Sequence, residues 1–162
     1  MANDRETLSA LYEGWENYQD HLITALTPLT ADQLALRSAP QLRTIGQLAA
    51  HIIGARARWF KNFLGEGGDD LKSLTPYGGT DQAPITAAEL VAGLRITWHV
   101  MAAALDRWSA DDLAQSFTRE YRGETNTLSR RWVVWHLIEH DLHHGGELML
   151  TLGMHGLPTP DI

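Results

Sequence analysis

The stretch that decides the fold runs from Trp132 to Gly153 and reads WVVWHLIEHDLHHGGELMLTLG. At about 100° per helical residue, His136, His140 and His144 fall within about 80° of one another on one face. The same face carries Val133, Leu137, Glu147, Leu148 and Thr151. An unpaired buried polar group costs about 1–3 kcal/mol, and helical carbonyls are already bonded, so three inward imidazoles require a shared partner. A divalent cation such as zinc, nickel, iron or copper would supply one.

A second interpretation of this row is that each imidazole is an ordinary core residue. A lone histidine on an apolar face is more often hydrogen-bonded core than ligand. Two at i and i+4, however, can reach one ion. The helical rise puts His136 about 12 Å from His144, so one terminal member of the row must stand aside. A histidine from another helix would then complete a site.

Composition limits the classes of protein to consider. With 162 residues, 44% of them hydrophobic and 20% charged, the chain suits a single globular domain over residues 1–162. A net charge of −7 and the lack of any basic run argue against nucleic acid and anionic membrane as partners.

Cysteine is absent from the chain, which excludes disulfides, thiolate metal sites and a cysteine nucleophile. This composition fits a reducing cytoplasm, where we expect the protein to reside. The first residues lack a basic region followed by an apolar one, and no window approaches 18 uninterrupted apolar residues. We therefore expect neither a signal peptide nor a membrane-spanning helix.

Four long amphipathic segments are predicted to be helices. The first runs from about Asp4 to Leu26, before Thr27-Pro28, and its apolar face carries Leu8, Leu11, Trp15, Leu22 and Leu26. The second and third start at capping boxes, Thr44 to Gln47 and Thr86 to Glu89, and extend to about Phe63 and Trp108. The fourth is capped by Ser129 or Thr127 and ends at Gly153. This pattern predicts an all-α fold, a four-helix bundle whose core is a common place for metal sites.

Two connections are less regular. Residues 65–84 hold Gly-Gly pairs and two prolines, which predict a long structureless connection between the second and third helices. Such a stretch is either a functional lid or a simple crossover. Residues 116–126 fit either a short hairpin or an extended loop.

Among His21, His51 and His99, only His51 lies in mid-helix at the border of an apolar face. His99 lies opposite the apolar face of the third helix and is predicted to face solvent. On the second helix, Arg56 and Lys61 are predicted on the side away from the apolar face. His51 is thus the candidate from outside the row.

Several residues near the row are candidates for supporting roles. Glu147 lies within the row and could accept the far N–H of a ligand histidine, which would fix its tautomer. Glu139 and Asp141 point away from the row and are predicted to be solvated helix charges. His143 is either an acid or base at the pocket edge or a surface residue. The aromatic residues that could line a pocket, or simply pack the core, are Trp59, Tyr77, Trp132 and Trp135.

The segment His136-x3-His140-x2-His143-His144-Gly145-Gly146-Glu147, with an inward His51 on the second helix, resembles the DinB-like family of metal-binding four-helix bundles. The resemblance covers the whole chain in helix order, and includes the long connection after the second helix. It implies that His51, His140 and His144 are metal ligands. The family more often has Arg and Gln where this chain has Gly145 and Glu147.

The resemblance also implies a divalent ion, zinc or nickel first and iron as an alternative, and a homodimer. Characterised relatives catalyse thiol-dependent S-transfer or isomerisation. We therefore expect a metal-dependent transferase that activates a low-molecular-weight thiol towards a small electrophile, with Glu147 and His143 as candidate catalytic residues. A hydrolase that uses metal-bound hydroxide and a non-catalytic metal- or ligand-binding stress-response protein remain as alternatives.

Overall fold

A computed structural model describes residues 2–79 and 82–161, with side chains in the first helix from residue 12 onward. These residues are mostly helical, with a small two-stranded sheet. The elements in chain order are α1 (Ala2–Leu26), α2 (Ala31–Leu34), α3 (Ile45–Arg58), a π-helical turn (Trp59–Phe63), α4 (Gly68–Lys72), α5 (Ala87–Arg107), α6 (Ala110–Ala114), β1 (Ser116–Tyr121), β2 (Glu124–Ser129) and α7 (Arg130–Met154).

The predicted helix starts are confirmed. Thr44 accepts a hydrogen bond from the Gln47 N–H, and Gln47 accepts one in return from the Thr44 N–H at 2.9 Å. The same reciprocal pair opens α5 at Thr86. Of the two candidate caps for α7, the structure selects Ser129. Each cap satisfies N–H groups that have no partner inside the helix.

The second predicted helix reaches Phe63 as expected, but its last turn is wider than an α-helix. After α3 the chain continues as the π-helical turn, in which the Leu64 N–H bonds the Trp59 carbonyl five residues back at 3.2 Å. Such turns accommodate one extra residue and are frequent at functional sites.

The core lies between the four long helices. α1 packs against α5 and α7, and α3 packs against the same two helices. Side chains that are fully excluded from solvent include Leu22, Leu26, Ile45, Ile52, Ile53, Phe60, Leu90, Leu94, Met101, Leu137, Leu148 and Leu152. The predicted inward positions of Leu8 and Leu11 lie outside the described side chains.

In the described part of the chain, α5 is long and apolar enough to cross a membrane by length and composition alone. Core helices of globular proteins pass the same test. α5 buries Leu90, Leu94 and Met101 against its neighbours, as such core helices do.

The prediction that residues 65–84 lack regular structure is wrong over Gly68–Lys72, which form α4. Gly67, at φ 76°, turns the chain into this helix. Asp69 and Asp70 occupy its first turn, where acidic side chains interact favourably with the helix N-terminus, and Leu71 is buried. The prediction was based on the glycines and prolines of this segment and did not use the helix-favouring pattern of Asp69, Asp70 and Leu71.

The segment before α7 is a hairpin, the first of the two predicted alternatives. β1 and β2 pair antiparallel from Ser116 opposite Ser129 to Tyr121 opposite Glu124. Arg122 and Gly123 form the two-residue turn with positive φ at both positions, which matches strand twist. The ring of Phe117 stacks on Phe63, which docks the hairpin onto the π-helical turn.

We expect Gly54→Ala to destabilise the protein by about 1–3 kcal/mol, as overpacking of a core does. The backbone of residues 75–77 crosses α3 at Gly54, and an added Cβ would overlap the Tyr77 carbonyl oxygen. Urea unfolding measures the change. Gly46→Ala in the same helix is the control, since its Cβ would meet nothing nearer than 3.4 Å. Equal stabilities of the two variants would contradict the packing argument.

Candidate metal centre

The candidate residues meet where α3 and α7 run antiparallel to each other. His51 of α3 lies beside His140 and His144 of α7, and farther along α3 Trp59 lies beside His136. Because the residue numbers rise along α3 while they fall along α7, the three histidines spaced at i, i+4 and i+8 on α7 lie opposite His51 and Trp59 on α3. These side chains therefore form a row of rings along the seam between the helices.

Three histidines of this row converge. The Nε2 atoms of His51 and His140 are 3.2 Å apart. The ring of His144 lies 4.7 Å from that of His51 and 4.5 Å from that of His140, measured between centroids. One nitrogen from each of the three lies within 4.8 Å of the others, and all three residues are partly buried. The structure thus brings together His51, His140 and His144, the three predicted ligands.

The spacing fits a shared ion. Zinc–imidazole bonds of about 2.0–2.1 Å in a tetrahedral site place two ligand nitrogens about 3.3 Å apart. The separation between His51 and His140 matches this value. The donor set consists of imidazoles, which suit zinc, nickel, iron and copper. Among the described residues, the Nδ1 atoms of His51 and His140 have no hydrogen-bond partner.

Both central histidines are neutral at physiological pH. Burial lowers the pKa of His51 to about 4, with smaller contributions from Arg43 and His144. Burial, with repulsion from His144 and His51, lowers the pKa of His140 to about 3. Their nitrogen lone pairs are therefore free of protons, as metal ligation requires.

These two pKa values predict that the metal-free protein loses stability in mild acid. In the unfolded chain both histidines titrate near their ordinary value of 6.5. Between pH 6.5 and about 4 the unfolded state binds more protons than the folded state, so the free energy of unfolding falls as pH falls. Urea unfolding in chelator from pH 7 to 4 measures this slope. The double variant His51→Gln/His140→Gln should lose part of the slope; an identical profile would contradict the assignment.

Glu147 contacts the centre through His144. Its Oε2 lies 2.7 Å from His144 Nδ1, so the Nδ1–H can donate to the carboxylate and leave Nε2 as the free nitrogen. Its Oε1 lies 3.7 Å from Nε2 of His143, which is an exposed residue. Glu147 therefore has the geometry of a carboxylate that orients a ligand histidine, and His143 lies at the rim of the site.

His136 is the member of the row that stands aside. Its ring is 5.9 Å from that of His140 and stacks instead on Trp132, at 4.9 Å and an interplanar angle of 13°. Trp59 packs edge-on against it at 5.3 Å. Of the predicted aromatic pocket residues, Trp59 and Trp132 thus lie next to the row, whereas Trp135 is 63% exposed on the outside of α7.

Sequence reasoning placed Arg56 and Asp141 wrongly, because both are fully buried rather than solvated. Arg56 Nε and Nη2 both donate to Asp141 Oδ2, at 2.9 and 2.7 Å. The signal was present in the helical wheel, where Asp141 lies within about 40° of both Leu137 and Leu148 and Arg56 lies about 40° from Ile52. The His row lies at the border of the buried face of α7. The prediction took the row as the centre of that face and therefore placed Asp141 in solvent.

Gly145, where the resembling family more often has arginine, is a point of close helix packing. A Cβ at this position would overlap the hydroxyl of Tyr18 on α1. The side chain of Tyr18 therefore occupies the space that a larger residue at position 145 would need. Gly145 therefore allows the close approach of α1 to α7, beside the three converging imidazoles.

A cavity of about 490 Å³ lies between α2, the start of α3 and the segment that precedes α5. Its wall includes Ala50, the neighbour of His51, together with Arg43 and Gln47, whereas the three imidazoles are not among the described residues that line it. Gly78 and Gly79 also line the cavity, and Gly78 packs against the backbone of His51. The connection between α3 and α5 thus contributes to a small-molecule-sized space on the side of α3 that carries Ala50.

Comparison with known proteins agrees with this fold. In a search of solved structures, a DinB-like protein from Bacillus cereus matches with a TM-score of 0.71 and 22% identity, over 93% of each chain. A DinB-like protein from Bacillus subtilis matches with a TM-score of 0.59 and 15% identity, over 89% of this chain and 91% of the other. These likenesses show a shared fold.

Among proteins of curated function, no significant match was found. A family model of the DinB superfamily matches residues 10–148, most of the chain. The chain therefore belongs to the DinB superfamily.

Proposed function

We propose that the chain is a metal-dependent enzyme of the four-helix-bundle type whose divalent ion is held by His51, His140 and His144. The observation that carries the proposal is the convergence of three imidazole nitrogens within 4.8 Å of one another. Zinc or nickel is the preferred ion, and iron is the alternative, since all three accept imidazole ligands.

The surrounding residues have separate roles in this proposal. Glu147 holds His144 by its Nδ1–H, so that Nε2 faces the shared point. Three protein ligands leave at least one position for a small molecule, the pattern of catalytic rather than structural sites. A divalent ion supplies acidity there, because it lowers the pKa of a bound thiol or water.

The reaction we propose is S-transfer from a low-molecular-weight thiol to a small electrophile. The chain has no cysteine, so a nucleophilic sulfur must come from a co-substrate. The thiol loses its proton, its sulfur bonds to the electrophilic carbon, and the leaving group departs with the bonding electrons. His143, exposed at the rim and 4.8 Å from the ring of His144, is placed to accept that proton, and Glu147 lies beside it.

A hydrolase that activates water at the same position is the second candidate, favoured by the same open ligand set. We further propose a cytoplasmic homodimer that acts on small molecules, without nucleic acid or membrane as partner. A stress-response protein that binds metal or ligand without turnover is the non-enzymatic alternative.

Two measurements test the proposal. Elemental analysis of purified protein should find one zinc, nickel or iron ion per chain. A panel of small thiols with an electrophilic acceptor should show thiol consumption that chelator abolishes and added metal restores. Chelator-sensitive ester or amide hydrolysis without thiol would favour the hydrolase instead. Metal-loaded protein that is inert in both assays would support the non-catalytic alternative.

A further inference from the structure

The buried pair Arg56–Asp141 is part of a polar cluster that joins the four long helices. Arg56 donates Nε and Nη2 to Asp141 Oδ2, which also accepts from Trp15 Nε1 of α1 at 2.7 Å. The remaining guanidinium nitrogen, Nη1, donates to Gln19 Oε1 at 2.7 Å and reaches Thr97 Oγ1 of α5 at 3.5 Å. Both charged side chains are fully excluded from solvent.

A buried ion pair contributes little net stability to a fold. Removing two charges from water is so costly that apolar residues of similar size often stabilise the folded state equally well. The best-attested use of such a pair is to fix register, because only one alignment satisfies both charges. The planar fork of Arg56 strengthens this selectivity, since both of its bonds to Asp141 require one orientation.

The pair and the imidazoles span the same helix–helix seam. Asp141 follows His140 on α7, and Arg56 lies five residues after His51 on α3. The imidazoles meet on the open side of the seam and the charges meet on the core side. Two lateral contacts, about 1.5 Å apart along α7 and about 7.5 Å apart along α3, fix both the axial position and the rotation of α3 against α7.

The imidazole site is sensitive to that alignment. A slip of one residue along a helix is about 1.5 Å, nearly half of the 3.2 Å that separates the His51 and His140 nitrogens. Apolar contacts discriminate less sharply between such alignments, because they are not directional. The bonds of Asp141 to Arg56 and Trp15 form at one alignment.

We propose that Arg56 and Asp141 are positioning residues that hold α3 and α7 in the one register at which His51 and His140 reach a common ion. The proposal rests on the metal site proposed above for its functional meaning. Its structural content, the approach of the two rings, can be measured without metal.

The test replaces both charges by apolar residues of similar size, Arg56→Met with Asp141→Leu, so that no unpaired charge remains buried. The matched control is Arg107→Gln with Glu66→Gln, an ion pair of the same 2.7 Å length whose side chains are 58% and 18% exposed. Zinc affinity is measured by competition with a chromophoric chelator. The ring approach is measured in metal-free protein as the nuclear Overhauser effect between the His51 and His140 ring protons.

We expect the double variant to fold but to bind zinc at least about tenfold more weakly, in the range seen when residues that orient ligands are lost, and to lose the Overhauser effect. The control should retain both. A folded double variant with wild-type affinity and an intact Overhauser effect would overturn the proposal. If wild-type protein binds no zinc, the metal site fails, while the Overhauser effect still decides the positioning role. If the double variant does not fold, Arg56→Lys keeps the charge but removes the fork; unchanged zinc affinity and ring approach in that variant would likewise overturn the proposal.

Discussion

Replacing His140 by alanine is expected to abolish stoichiometric metal binding while the fold persists. His140 has its Nε2 3.2 Å from that of His51 and its ring 4.5 Å from that of His144, and its loss leaves two of the three converging imidazoles. Changes to residues that merely orient a ligand cost about 10–100-fold in affinity, so loss of a direct ligand should cost at least the upper end of that range. Elemental analysis and zinc titration measure the effect, and circular dichroism reports the fold.

Two histidine controls make the result specific. His99→Ala removes an exposed histidine on α5. His136→Ala removes the ring one turn along α7 from His140, which packs on Trp132 outside the triad. Both variants should retain wild-type stoichiometry. A His136 variant that loses metal as completely as the His140 variant would mean that the wrong three members of the row were chosen.

Replacing Asp141 by asparagine is expected to give the largest loss of stability of any single change considered. The variant keeps the side-chain shape but leaves the buried Arg56 guanidinium without its counter-charge. Breaking a buried pair in this way costs about 3–5 kcal/mol. At about 2–4 °C per kcal/mol for a chain of this size, the melting temperature should fall by about 10 °C. Calorimetry and urea unfolding measure the two quantities.

The pair Arg107–Glu66, at the surface, provides the comparison. Its shortest N–O distance, 2.7 Å, equals that of Arg56–Asp141, but its side chains are 58% and 18% exposed, whereas both side chains of Arg56–Asp141 are fully buried. Surface pairs contribute about 0–1 kcal/mol, so Glu66→Gln should change stability little. Similar losses of stability in Asp141→Asn and Glu66→Gln would show that the cost of breaking an ion pair does not depend on burial of its charges.

Local spacing was sufficient to predict the long helices, the face that the histidine row shares and His51 as the candidate opposite it; the choice of His140 and His144 within the row was implied by the resemblance to the DinB-like family. Capping boxes fix where α3 and α5 begin, and an i, i+4 pair on one helix fixes which rings share a face. His51 could be selected over His99 because each has a definite position relative to an apolar stripe.

What could not be predicted depends on contacts between distant segments. The pairing of Arg56 with Asp141 joins residues 85 positions apart. The wheel of either helix shows a charge near the core face but does not show its partner. The length of the row predicted that one terminal histidine lies apart from the other two. Which histidine this is depends on Trp132 and Trp59, which pack against the ring of His136.

The π-helical turn between Trp59 and Phe63 has a consequence for how this chain could diversify. A turn that holds one surplus residue can lose it, for instance at the exposed Asn62, and return to ordinary α-helical winding. Because the turn absorbs its surplus residue, the positions after the deletion would keep their direction, and Phe63 would stay docked on the hairpin residue Phe117. His51 lies upstream of the turn and would not move. The chain can therefore change its length by one residue at this point while the hairpin contact and the imidazole chemistry are both inherited unchanged.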